Sequence, residues 1–295
     1  MSPASVGLLV LCNVVWALNV VVSKLAVDDL GMPPLAYAFA RSLLVMLVLL
    51  PFLRPVPRGL GKILLVGLAI SGGSFALLFM GLETASPAAT GVVSLSGAPL
   101  TVLFAILFLA EQVRWRRGLG IALTFAGVLV SVMGERALEM GTGLLLVFAS
   151  ALVGALGSVF VKRLEISSLR LQAWAAVASS VVLLPLSIGL ESGQTGALAA
   201  DPLAIAGCLV FASLVVSVGA HTVYFRMLKE HDTNLVVPLT LLTPLFTIAL
   251  GAWLTGDPVG PRLLVGGAIA IAGVAIILVR PSETFTKRFL VRSRL

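Results

Sequence analysis

The sequence predicts an all-α membrane protein with ten transmembrane helices arranged as two inverted five-helix repeats. Three observations predict it. Of 295 residues, 59% are hydrophobic and 11% charged, with a mean hydropathy of +1.12, too apolar for a surface that must face water. The apolar residues gather into runs near the roughly 20 residues that cross a bilayer, and basic residues alternate sharply between the two sides of those runs. The chain also echoes itself, with Pro99-Leu100 and Pro244-Leu245 standing 145 residues apart.

Taken in order, the first run (5–26) lacks a basic leading segment and an A-x-A-like cleavage site, so it reads as a retained helix, not a signal peptide. The second (34–53) carries Arg41 inside it, and the third (61–82) carries Ser71, Ser74 and Phe75. The fourth (87–109) holds Thr90, Ser94, Gly97 and Thr101 on one helical face around Pro99, and the fifth (116–133) contains the glycine-rich stretch GIALTFAGV. The sixth (142–161), seventh (170–190) and eighth (202–228) follow; the ninth (233–254) contains Pro244 with Thr240, Thr243 and Thr247, and the tenth (261–279) contains GGAIAIAGV. The loops between them are too short for a soluble domain.

Orientation follows from the basic residues. Arg54, Arg58, Lys62, Arg114, Arg116, Arg117, Lys162, Arg163, Arg170, Arg226, Lys229 and the tail residues Arg280, Lys287, Arg288, Arg292 and Arg294 fall on one side, sixteen of the 20. Lys24, Arg136 and Arg262 fall on the other, with Arg41 within a helix. By the positive-inside rule both termini are cytoplasmic. The net charge of +7 then reads as basic loops and lipid-headgroup contact, not nucleic-acid binding.

The repeat gives the domain organisation: residues 1–140 as a first repeat of helices 1–5, 141–280 as a second of helices 6–10, and 281–295 as a basic cytoplasmic tail. Pro-Leu recurs in the fourth and ninth helices, with Glu111 and Asp257 closing them. GIALTFAGV (120–128) matches GGAIAIAGV (266–274), and WALNVVVSK (16–24) is answered weakly by GALGSVFVK (154–162). Five helices per copy is an odd number, so the second copy enters the membrane from the opposite face, an arrangement used for alternating access.

Trp16, Asn19 and Lys24 in the first helix, Arg41 in the second, and the Pro-Leu-to-acid pattern of both copies resemble the drug/metabolite transporter superfamily of the EamA type, over nearly the whole chain to about Val279. Within it the sequence is similar to bacterial amino-acid and metabolite exporters, including the aromatic amino-acid exporter group. The resemblance implies a central cavity bounded by helices 1, 3, 4, 6, 8 and 9, peripheral helices 5 and 10, export as the direction, and structural roles for Glu111 and Asp257. The second copy departs from the pattern, with Gly154 in place of the tryptophan and Asp257 in place of glutamate.

Polar faces of membrane helices point to protein or water. In the eighth helix Ser213, Ser217, His221 and Tyr224 occupy an arc of about 80° at 100° per residue. Asn13, Trp16, Asn19 and Ser23 span about 120° in the first helix. The expected substrate-binding residues are Asn13, Trp16, Asn19, Arg41, Ser71, Phe75, Ser94, Ser217, His221, Tyr224 and Thr243, with Pro99 and Pro244 as hinges. Small hydroxyls also serve helix packing, so for Ser and Thr packing competes with lining, whereas Asn19 and His221 favour the cavity. Arg41 admits both snorkelling or structural pairing and the binding of a substrate carboxylate.

No Asp or Glu sits in mid-helix, so proton coupling would rest on His221, and a facilitative carrier is simpler. There is no G-x-x-x-x-G-K-[ST], no H-E-x-x-H and no recognisable nucleophile–base spacing, which argues against ATP drive and against an enzyme. The runner-up is a proton-coupled drug/metabolite efflux carrier, and the rivals of another class are a passive channel or a membrane-embedded enzyme. Cys12 and Cys208 read as small hydrophobes, and no metal or other cofactor is called for. The expected protein is an inner-membrane carrier exporting amino acids or similar small metabolites, in contact with lipids, working as a monomer with oligomerisation left open.

Overall fold

The computed structural model describes residues 3–109, 115–132, 141–161, 163–230, 239–240 and 242–278, and every regular element among them is helical. The principal apolar helices among the described residues are α1 (Pro3–Asp29), α2 (Pro34–Val48), α3 (Leu60–Leu82), α4 (87–109), α5 (Trp115–Val132), α6 (Gly141–Val161), α7 (Ser168–Leu190), α8 (202–230), α9 (Leu242–Thr255) and α10 (Pro261–Leu278). Six of these, α1, α3, α4, α6, α7 and α8, are long and apolar enough to cross a membrane; α2, α5, α9 and α10 are shorter apolar helices. Glu111, Arg136 and the tail 281–295 lie outside the described residues.

Helix ends follow from local chemistry. Pro34 opens α2, and the free N–H groups of Leu35 and Ala36 donate to the two carboxylate oxygens of Glu191, at 2.6 and 2.9 Å. The helix stops at Val48, short of the expected residue 53, because Pro51 has no N–H to continue the ladder; a 3-10 turn covers Leu50–Leu53. Ser86 caps α4 by accepting from the Ala89 N–H at 3.2 Å, and Asp201 caps α8 by accepting from Ala204 at 3.0 Å.

Inside the helices, two kinds of irregularity matter. In α4 the ladder tightens at Leu95 and Ser96, whose N–H groups bond Val92 and Val93. Pro99, which cannot donate to Leu95, is then the third residue of Gly97–Leu109, and Pro244 is likewise the third residue of Leu242–Leu250. Both prolines therefore sit in a first turn, where the missing donor matters least. Wider π-helical turns occur at Leu25–Asp29, Ala69–Gly73, Phe211–Ala220 and Gly251–Thr255.

The helices pack around a ring in which α8, α1, α9, α4, α6 and α3 are successive neighbours and α2 bridges α3 and α8. Helix α7 covers α2 and α3, while α5 and α10 pack chiefly on each other. That last contact is built by glycine: a Cβ on Gly127 would meet the backbone of Gly266 and Ala270, and one on Gly273 would meet the backbone of Gly120 and Thr124. At the end where α1 and α3 finish and α2 and α8 begin, Ala26, Met32, Leu35, Tyr37, Phe79, Leu82 and Ile205 form a fully packed cluster.

Candidate substrate-binding site

Three elements converge on Arg41. The residue lies in α2 and is 3% exposed. Its guanidinium carbon sits 3.7 Å from the centre of the Phe75 ring of α3, with Phe79 at 5.8 Å, giving the cation an aromatic face on which to rest. From α8, Ser217 Oγ accepts from Nε at 3.1 Å and from Nη2 at 2.9 Å, and its own hydrogen goes to the carbonyl of Ala212 at 2.8 Å. Nη1 is buried without a partner, and no Asp or Glu pairs with Arg41 among the described residues. A guanidinium removed from water and left with a donor to give has the chemistry to accept an anion.

One turn along α8, His221 faces α1. Its ring centre lies 5.4 Å from that of Trp16, and Tyr224 meets the same indole edge-on at 5.2 Å. His221 Nδ1 stands 2.9 Å from the carbonyl of Val216, which can only accept, so Nδ1 carries the hydrogen. Trp16 Nε1 and, one turn on, Asn19 Oδ1 are buried without protein partners.

The π-helical stretch explains how α8 serves two neighbours. At 100° per residue Ser213, Ser217, His221 and Tyr224 form one narrow stripe, but the wider turns of Phe211–Ala220 rotate successive positions off that stripe. Ser213 consequently donates to the Arg41 carbonyl at 3.2 Å and Ser217 binds the guanidinium, both toward α2, while His221 and Tyr224 turn to α1. The i→i−5 bonds of Ser217 and His221 mark the change of period.

Other expected residues are placed apart from this cluster. Asn13 and Thr243 bond each other at 2.5 Å and Asn13 also donates to Leu9, which ties α1 to α9. Ser71 lies in the π turn before Phe75, its carbonyl accepting from Ser74. Ser94 is exposed on a separate cavity between α3, α4 and α6. Asp257, at the end of α9, accepts from the Ala88 N–H at 2.8 Å and from Thr255 at 2.7 Å, a structural role at a helix start. Sequence reasoning missed Glu191 as a helix cap and Ser150 and Ser158 as cavity residues; the spacing of Ser150, Gly154 and Ser158 at i, i+4, i+8 was the available signal.

The EamA-like transporter family model matches the chain twice, over residues 4–133 and 141–279. The chain belongs to that family. A relative in Salmonella typhimurium, a "Probable amino-acid metabolite efflux pump", is 30% identical over 91% of this chain and 93% of its own length. A "Probable terminal-alkyne amino-acid exporter" of Streptantibioticus cattleyicolor is 28% identical over 92% and 93%. A solved crystal structure aligns at a TM-score of 0.55 and 19% identity over 93% of this chain and 96% of that one, which shows a common fold. This EamA-type protein is therefore a multi-pass membrane transporter, not an enzyme.

Proposed function

We propose that this EamA-type transporter is a secondary carrier of the inner membrane that exports amino acids or similar small metabolites by alternating access, with the carboxylate of its cargo held by Arg41. The observation that carries the reading is the buried guanidinium with no acidic partner among the described residues and an unfilled Nη1. Phe75 and Ser217 position it, and Asn19, Trp16, His221 and Tyr224 continue the site toward α1. Relatives named for amino-acid efflux and export support the cargo class. No cofactor enters the cycle, and the working unit is a monomer in contact with lipid.

In this reading ten helices form two inverted repeats, 1–140 and 141–280, with both termini and the tail 281–295 in the cytoplasm. Two supports stand out. The family model matches each half, and the α5–α10 contact is reciprocal: Gly127 meets Gly266 while their sequence counterparts, Gly273 and Gly120, meet in turn. The packed end around Tyr37 and Phe79 is then the closed outer gate. Purified protein in liposomes loaded with labelled amino acids, the matching amines and sugars tests the cargo; export of amines as fast as of amino acids would refute it. Cysteine labelling in intact cells tests the orientation: Gln194→Cys reacts with an impermeant reagent and Lys62→Cys does not.

A second reading, proton coupling, rests on His221, the ring in the proposed site whose ordinary pKa lies near neutrality. His221→Gln keeps hydrogen bonding but cannot titrate in the neutral range. The facilitative reading predicts an unchanged pH profile from pH 5.5 to 8; loss of pH dependence would transfer the account to a proton-coupled carrier.

A further inference from the structure

Between α3, α4 and α6 lies a cavity of about 310 Å³ that the Arg41 cluster does not use. Its volume reaches the lower end of the range of small-molecule pockets. Leu78, Ser94, Thr101, Ser150, Gly154 and Ser158 are among its walls. Adjacent residues of α3 border the two places: Phe75 lies beneath the Arg41 guanidinium, while the backbone carbonyl of Ser74 accepts from Ser150 Oγ at 2.7 Å on the cavity side.

Gly154 makes this space. In the echo of WALNVVVSK by GALGSVFVK it stands where the first repeat has Trp16, whose indole fills the gap before His221 and Tyr224. A Cβ built on Gly154 meets nothing closer than Ser74 Cβ at 3.6 Å, an ordinary contact, so neither backbone strain nor tight helix approach requires glycine there. Gly157, three residues later, is different: its Cβ would strike Ile70 at 2.6 Å. Glycine at 154 therefore acts through the volume it leaves empty.

The polar lining has a definite sense. Ser150 donates to Ser74, Ser158 to Gly154 at 2.8 Å and Thr101 to Gly97 at 2.8 Å, so all three hydroxyl hydrogens go to backbone carbonyls and the oxygen lone pairs remain for a guest. Arg41 offers only donors; this cavity offers acceptors among small apolar walls.

We infer that the α3–α4–α6 cavity is the subsite for the side chain of the transported amino acid, that Gly154 sets the largest side chain accepted, and that the hydroxyl lining favours side chains bearing an O–H or N–H. The inference rests on the proposed carboxylate site at Arg41.

The test is transport by reconstituted Gly154→Phe and Ser150→Ala/Ser158→Ala proteins with labelled alanine, valine, threonine, phenylalanine and tryptophan, alongside Arg41→Gln. Filling the cavity lowers the tryptophan-to-alanine ratio of kcat/KM by about tenfold or more, and removing the hydroxyls lowers the threonine-to-valine ratio. Ratios unchanged by Gly154→Phe, or a uniform loss for every substrate, would overturn the subsite. A selective loss in Arg41→Gln alongside unchanged ratios in Gly154→Phe would sink the subsite while leaving the carboxylate reading standing. Occupancy is read without transport in purified Gly154→Cys: tryptophan slows its reaction with a small thiol reagent. Equal labelling rates with and without each of the five amino acids would also overturn it.

Discussion

Arg41 and Ser217 are 176 residues apart in the chain, yet both Nε and Nη2 of the guanidinium donate to the one serine oxygen. The arrangement fixes the cation and leaves Nη1 to be filled. Arg41→Gln should therefore weaken binding of carboxylate substrates by about tenfold or more, since a hydrogen bond to a charged group contributes about 1.5 to 3 kcal/mol. Binding of the corresponding decarboxylated amines should change little. Arg41→Lys keeps the charge but loses the planar fork, and should restore only part of the affinity. Titration calorimetry on purified protein reads all three; an equal effect of Arg41→Gln on acids and amines would assign the residue to packing.

The site and the fold were legible to different degrees, for physical reasons. Hydropathy reports burial in lipid, so the long spans such as Leu60–Leu82 and Ser168–Leu190 could be drawn within a residue or two. The early end of α2 was also written in the chain, in Pro51. Candidate residues Trp16, Arg41, Phe75, Ser217, His221 and Tyr224 were singled out individually, but their meeting depends on which helices are neighbours. The π turns of α8 and α3 leave no periodic signature, because an i→i+5 bond is a backbone choice made under packing, and those of α8 re-aim Ser213, Ser217 and His221. Gly154 was visible as a departure from the tryptophan of the first repeat; the cavity behind it was not.

Asp257 joins α9 to the start of α4 through the Ala88 N–H. Asp257→Ala should lower stability by about 1 kcal/mol, the usual effect of losing a helix cap, and Asp257→Asn by less because an amide oxygen still accepts. Thermal unfolding in detergent measures the difference. An alanine variant as stable as the asparagine variant would show that the cap contributes nothing.

Pro99 and Pro244 each stand third in a helical segment, Gly97–Leu109 and Leu242–Leu250. Alanine supplies the N–H that proline lacks; at position 99 it could bond back to Leu95 and stiffen the preceding turn. The expected result is normal expression with slower exchange, read as the initial rate of substrate exchange across proteoliposomes. Unchanged rates in both Pro99→Ala and Pro244→Ala would leave packing as their only role.

Alternating access through a single site is the centre of the account, and counterflow measures it most directly. Proteoliposomes preloaded with an unlabelled amino acid should take up the labelled one faster than empty vesicles and accumulate it transiently above equilibrium, and Arg41→Gln should abolish the overshoot. Uptake that is indifferent to the preloaded substrate would contradict a carrier and describe a passive channel instead.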